Sequence, residues 1–143
     1  MLEPIENRIT GRTREPVDLL APGAVDRLLQ LINNKAIFGV HFGTPCTTYS
    51  RARKYDGKGP PPLRSLSHLS GLPGLSAWDR KKVEEGSLFM RLSCQIARAA
   101  HNVGCFFTIE NPASSMLWAE PDIKKLTEDT KSMLSDVWNQ KRE

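Results

Sequence analysis

Two short apolar runs decide the fold: Ala36-Ile37-Phe38-Gly39-Val40-His41-Phe42 and Cys105-Phe106-Phe107-Thr108-Ile109-Glu110. Runs of this length read as strands buried on both faces, the kind found in parallel sheets. Gly43 and Pro45 end the first, and Asn111-Pro112 ends the second. Between them lies a helical pattern with its clearest stripe at Leu88, Leu92, Ile96, Ala99 and Val103. Ser76, with Asp79 three residues on, reads as the start of that helix, and Gly104 as its stop. Gly86 interrupts the pattern and shifts the expected start towards Ser87. Strand, helix and strand in this order make a right-handed βαβ crossover with the strands parallel. The expected class is α/β, with this crossover as part of a parallel, Rossmann-like sheet.

Working outward, Val25, Leu28, Leu29 and Ile32 recur at helical spacing from Pro22, which is expected in the first turn, and Asn33-Asn34 supply a stop. A final helix is expected from about Asp122 to Gln140, with Ile123, Leu126, Thr130, Met133 and Val137 on one side. Residues 1–16 have no periodicity and read as an irregular lead-in, so the α/β domain spans 17–143. Within it, residues 51–75 form a long loop punctuated by Pro60, Pro61, Pro62, Gly71, Pro73 and Gly74. A compact domain keeps such a loop either as a functional lid or as a disordered segment.

The composition fits one folded domain: 143 residues, 39% of them hydrophobic, with three tryptophans. No apolar stretch is long enough to cross a bilayer, and Glu3, Glu6 and Arg8 break up any secretory signal. Three cysteines without paired spacing fit a reducing compartment, so the expected location is intracellular, nuclear or cytoplasmic. The net charge is +4, yet between Thr47 and Lys82 eight basic residues face two acidic ones. This segment holds the whole positive excess, and a localised basic segment favours a polyanionic partner such as nucleic acid. The competing reading is a solvated loop.

Ligands of open α/β sheets bind beyond the carboxyl ends of the strands. Cys46 stands four residues past the first strand and Glu110 at the end of the second. Adjacent strands lie ~4.8 Å apart, so topology alone directs both side chains to one pocket. A thiolate is a soft nucleophile that adds to an electron-poor ring carbon, and positive charge nearby lowers its pKa from about 8.5. Arg51 and Arg53 are close enough in sequence to supply that charge. A carboxylic acid at the ring edge would hydrogen-bond the nitrogen that gains electron density. Together the pair describes activation of C5 in cytosine.

These residues also resemble a family. Gly43-Thr44-Pro45-Cys46-Thr47-Thr48-Tyr49-Ser50 is similar to the Pro-Cys-x-x-aromatic-Ser motif of cytosine-C5 methyltransferases, and Glu110-Asn111-Pro112 to their Glu-Asn motif. Gly86-Ser87-Leu88-Phe89 resembles the intervening segment. The likeness runs from about Val17 to Trp118 and is nearest to divergent modules of some eukaryotic mobile elements. It implies that Cys46 attacks C6 of a flipped cytosine and that Glu110 binds N3 and the exocyclic amine. It implies S-adenosylmethionine as cofactor, with Asp18 near its adenine and Pro45 shaping the loop against cofactor and base. Tyr49, Ser50, Arg51, Arg53, Lys54 and Asn111 would lie on the nucleic-acid side, and the 51–75 loop would close over the substrate.

The chain has no strand with a Gly-rich turn before Asp18, and nothing after Trp118 resembles the family's arginine-bearing strand or target-recognition region. The expectation is therefore a methyltransferase-like fragment truncated at both ends, with a missing N-terminal half or a larger polyprotein as partner. The alternatives are a non-catalytic nucleic-acid-binding remnant and, less well supported, a cysteine hydrolase using His41 or His68 as base. No metal site is expected, since no CxxC or His-x-x-x-His spacing occurs. Cys94 and Cys105 read as packing residues. So do Trp78, Trp118 and Trp138, although a tryptophan left exposed could stack a base.

Overall fold

The apolar runs form a parallel pair of strands in the computed structural model, which describes residues 18–131. In chain order the elements are α1 (Ala24–Asn33), β1 (Gly39–Phe42), α2 (Ala77–Asn102), β2 (Phe106–Ile109), a 3₁₀ turn (Met116–Ala119) and α3 (Pro121–Thr130). The protein is thus mixed α/β, with β1 and β2 parallel and joined through α2. The lead-in 1–16, Val17, and the part of the expected last helix holding Met133, Val137 and Trp138 lie outside the described residues. The chain divides into two compact units, one reaching Gly43 and including Gln95–Glu110, the other Thr44–Cys94 and the residues from Asn111 on. The division passes through α2.

In the first unit, Gly39 pairs with Phe106 and Phe42 with Ile109. The ladder is extended at both ends, by Phe106 N–H to Phe38 O at 3.2 Å and Glu110 N–H to Phe42 O at 2.8 Å. The expectation of strands buried on both faces fails here. Val40 and Phe42 are buried while His41 between them is exposed, and β2 is half-buried apart from exposed Phe106. Among the described residues the sheet has two strands and is covered on one side, so the burial alternates as in a one-faced sheet. Phe38, 81% exposed, lies just before β1 rather than inside it. Leu28 and Ile32 of α1 are buried, as are Ile96, Ala97 and Ala100 of α2. Helix α1 begins after Gly23, whose φ of 78° only glycine adopts readily, so Pro22 precedes the helix instead of sitting in its first turn.

In the second unit, Ser76 caps α2 as expected. Its hydroxyl accepts from Asp79 N–H at 3.1 Å and donates to Asp79 Oδ2 at 2.9 Å. Such a cap is worth about 1 kcal/mol. At the far end of α2, Gly104 takes φ 74° and donates to His101 O, the left-handed stop that its sequence position suggests. Helix α3 has Pro121 in its first turn and buries Ile123, Leu126 and Thr130. Within the described residues it ends at Thr130, with Lys131 left-handed at φ 52°.

The buried face of α2 also differs from the expected stripe. Val83, Gly86, Met90, Ser93 and Cys94 are buried in this unit, while Leu88 is exposed and Leu92 only half-buried. Helix α2 runs through Gly86 without interruption. A Cβ there would come within 2.8 Å of Thr48 Oγ1 and 3.2 Å of an Arg64 guanidinium nitrogen. The small residues let the preceding loop lie directly on the helix, which a large aliphatic side chain would prevent.

Gly86→Ala is therefore expected to destabilise the protein by about 1–3 kcal/mol, although alanine favours an ordinary helix by up to ~1 kcal/mol over glycine. Gly59→Ala is the control, because a Cβ there meets nothing within 4 Å. Urea unfolding of both variants checks this, and an unchanged or raised midpoint for Gly86→Ala would rule out the close approach.

Candidate functional site

Cys46 occupies a turn anchored on both sides. Before it, buried Thr44 contacts Ser93 through the two hydroxyls at 3.0 Å, and its carbonyl accepts from the Asn111 side-chain amide at 2.7 Å. After it, Tyr49 N–H donates to Cys46 O at 2.9 Å, and Tyr49 O accepts from Met116 N–H at 3.0 Å. Pro45 is exposed and the Cys46 side chain is partly so. The thiol thus sits on a fixed backbone with access to solvent. Asn111 Oδ1 is buried and has no hydrogen-bond partner among the described residues.

Glu110 closes β2 in the other unit. Its side chain is 77% exposed, and Oε2 lies 3.3 Å from His41 Nε2. His41 Nδ1 in turn lies 2.7 Å from Thr108 Oγ1, since His41 and Thr108 are register partners. An ionised carboxylate accepts, so Nε2 carries the proton towards Glu110; a neutral ring then accepts the Thr108 hydroxyl proton at Nδ1. A contact this open contributes little to stability, and its effect is to orient the carboxylate.

The remaining expected residues divide into engaged and exposed ones. Asp18 is exposed, with Oδ1 accepting from Leu20 N–H at 2.8 Å. Ser50 Oγ accepts from Ala52 N–H at 3.1 Å. Arg51 and Lys54 are exposed. Arg53 holds its loop closed, donating to Thr47 O at 2.8 Å and Pro61 O at 3.1 Å. Tyr49 departs from expectation: it is fully buried, so it has no surface to offer a nucleic acid. His68 contacts Ser65 and Ser67 rather than Cys46. Among the described residues, no three His, Cys, Asp or Glu side chains gather as a metal site requires, and no helix is long and apolar enough to cross a membrane.

What occupies Tyr49 is a cluster that the sequence does not announce. Arg64 belongs to the basic segment by position, yet it is only 2% exposed. Its Nε donates to Thr48 Oγ1 at 3.1 Å, and Nη2 to Val83 O at 2.7 Å. Nη1 donates to Leu69 O, and both terminal nitrogens reach Ser87 Oγ at 3.1 Å. All five N–H groups of the guanidinium therefore have acceptors. The guanidinium carbon lies 3.9 Å from the centre of the Tyr49 ring. Glu120 Oε1 supplies the countercharge at 3.7 Å and accepts from Tyr49 OH at 3.0 Å. Arg64 is thus taken out of the outward-facing charge. A cavity of about 420 Å³ adjoins the cluster, lined in part by Leu66, Ser87, Met90, Arg91, Glu120 and Asp122, and none of the expected site residues lines it.

Compared with protein-family models, curated proteins and solved structures, the chain matches none.

Burial pushes the Tyr49 hydroxyl up from 10.0 to about 12, and Glu120 acts in the same direction while Arg64 opposes both. The fold therefore favours the protonated hydroxyl. The contribution is complete below pH 10 and is lost as pH rises towards 12. Wild-type stability should fall across that window by more than the stability of Tyr49→Phe, as measured by denaturant midpoints at stepped pH. Equal slopes would show that Tyr49 is not held in its neutral form.

Proposed function

We propose that the chain carries the nucleophile-bearing part of a cytosine-C5 methyltransferase-like enzyme acting on nucleic acid, built on a Rossmann-like sheet. The observation that carries this reading is the parallel pairing of β1 with β2, which brings the carboxyl ends of the two strands side by side at Phe42 and Ile109. Glu110 is the next residue after β2, and Cys46 follows the end of β1 by four residues along the chain. The anchored turn around Cys46 and the oriented Glu110 carboxylate are what such chemistry needs from each.

In this reading the Cys46 thiolate forms a bond to C6 of the pyrimidine. The C5–C6 π electrons move into the ring, and Glu110, once its carboxylate has taken a proton from water, hydrogen-bonds N3 as that nitrogen gains charge. S-adenosylmethionine is the methyl source this class implies. The described residues do not fit it on their own: the Asp18 carboxylate is engaged by Leu20 N–H, Pro45 has no N–H to give, and no Gly-rich turn follows a described strand. Binding without chemistry is the second reading, favoured by that poor fit together with the exposed cations of the loop.

The test uses an oligonucleotide carrying 5-azacytosine, whose N5=C6 bond is more electrophilic than the C5=C6 bond of cytosine. Thiolate addition forms S–C6, the π pair goes to N5, and water protonates N5, so no cofactor is consumed. The expected result is a denaturation-resistant adduct at Cys46 on single-stranded and duplex probes, absent in Cys46→Ser. In Glu110→Gln it should form about a hundredfold more slowly. No adduct, or one mapping to Cys94 or Cys105 by mass spectrometry, would overturn the assignment. Binding of the probe without an adduct would establish the second reading.

A further inference from the structure

Two large aromatic side chains of the second unit stand out from the fold among cations. Tyr55 is 77% exposed and Trp78 is 68% exposed. Tyr55 sits on the arc that Arg53 closes through its bonds to Thr47 O and Pro61 O, so the arc has a definite shape. At its tip, Lys58 N–H donates to Asp56 Oδ1 at 3.1 Å, and Gly57 takes φ 70°. Trp78 lies in the first turn of α2, next to Asp79. The Asp79 carboxyl is held below its usual range by the Ser76 hydroxyl and Lys82, and the charge of Arg53 adds to this. Arg64, three residues past Pro61 at the base of the arc, donates to Val83 O at 2.7 Å, which ties the base of the arc to the first two turns of α2.

The charges in this region are uneven. Asp79 is matched by Lys82 at 3.2 Å, and Asp56 is engaged within its own turn. Arg51, Lys54, Lys58, Arg80 and Lys81 are all exposed. Glu84 and Glu85, one turn further along α2, bound the patch. Lys82 Nζ stands 5.3 Å from the Trp78 ring centre, a cation–π contact that steadies the indole while most of the ring stays accessible.

Accessible aromatic rings set among unpaired cations are the equipment of a surface for single-stranded nucleic acid: the rings stack bases, the cations follow the phosphates. A duplex offers its phosphates but keeps its base faces stacked within. We propose that the 51–58 arc and the first turn of α2 form a stacking surface for single-stranded nucleic acid, with Tyr55 and Trp78 as its base-contacting side chains. The inference rests on the nucleic-acid half of the function proposed above. It narrows the substrate to bases already outside a duplex, a state in which the ring edge is open to a thiol.

The experiment is a fluorescence-anisotropy titration of the full chain with a labelled twelve-residue oligothymidine and a duplex of the same length. The single strand should bind at least tenfold more tightly. Tyr55→Leu and Trp78→Leu should each weaken single-strand binding roughly tenfold, with unchanged circular dichroism and little effect on duplex binding. Quenching of tryptophan emission on binding should be lost in Trp78→Leu. Replacing Arg51, Lys54 and Lys58 by alanine should flatten the salt dependence for both ligands. Equal affinity for duplex and single strand, with the aromatic substitutions silent, would overturn the stacking surface and leave a plain phosphate contact. The outcome is separable from the thiol assignment. Aromatic-dependent binding without an adduct would leave this surface standing alone, and an adduct at Cys46 with silent aromatic substitutions would do the reverse.

Discussion

The second unit is organised around the buried guanidinium of Arg64. Burial works against its charge, lowering the Arg64 pKa from the usual range, and Tyr49 and Glu120 offset this. A charge out of water is tolerated only when it is matched and its hydrogen-bonding groups are satisfied. Here the match comes from four separated parts of the chain: Thr48 and Tyr49 after the Cys46 turn, Leu69 in the long loop, Val83 and Ser87 on α2, and Glu120 before α3. One side chain thereby fixes where the loop, the helix and the 3₁₀ turn sit within this unit. Removing a single partner from such a cluster leaves an uncompensated charge, typically at a cost of about 3–5 kcal/mol.

This arrangement changes the meaning of the long loop. Up to Gly59 it is exposed apart from half-buried Arg53, while Leu63 and Arg64 are buried and Leu72 N–H donates to Leu63 O. The loop is an anchored stretch carrying a projecting arc, neither a disordered segment nor wholly a lid. The arc holds those cations of the loop that remain available to an anion, and the anchored stretch removes one cation from the count that the sequence offers. The Cys46 turn inherits its rigidity from the same cluster, because Tyr49 is both its closing residue and a neighbour of Arg64.

Much of the architecture was legible because it depends on local signals. Two apolar runs joined by a helical segment imply parallel strands. The Ser76–Asp79 pair and Gly104 mark the helix ends through backbone chemistry that neighbours in sequence control. What was not legible depends on distant partners. Arg64 looks like any other cation of its segment, and its countercharge Glu120 lies far along the chain. Counting large aliphatics picks out Leu88 and Leu92 on α2, whereas the buried face follows the small residues that admit Arg64 and Thr48. The one-sided burial of the strands depends on how many strands surround them, which the apolar runs alone do not encode. Of the candidate site, the positions of Cys46 and Glu110 at strand ends could be read. The burial of Tyr49 and the exposure of Tyr55 could not, since two tyrosines in one loop carry no mark of which way they face.

Gly86 and Arg64 also constrain how this sequence can change over generations. Any side chain at position 86 would crowd Thr48 most closely and the guanidinium next, so a glycine replacement requires both neighbours to give way. Loss of Arg64 first strands Glu120 beside a tyrosine hydroxyl, which selects against the intermediate. Arg64 is therefore held in place by Glu120, and Gly86 by Thr48 and Arg64 together. Descendants of this chain that lose the arginine should also lose the carboxylate at position 120, and those that lose the glycine should change at position 48 as well as at position 64.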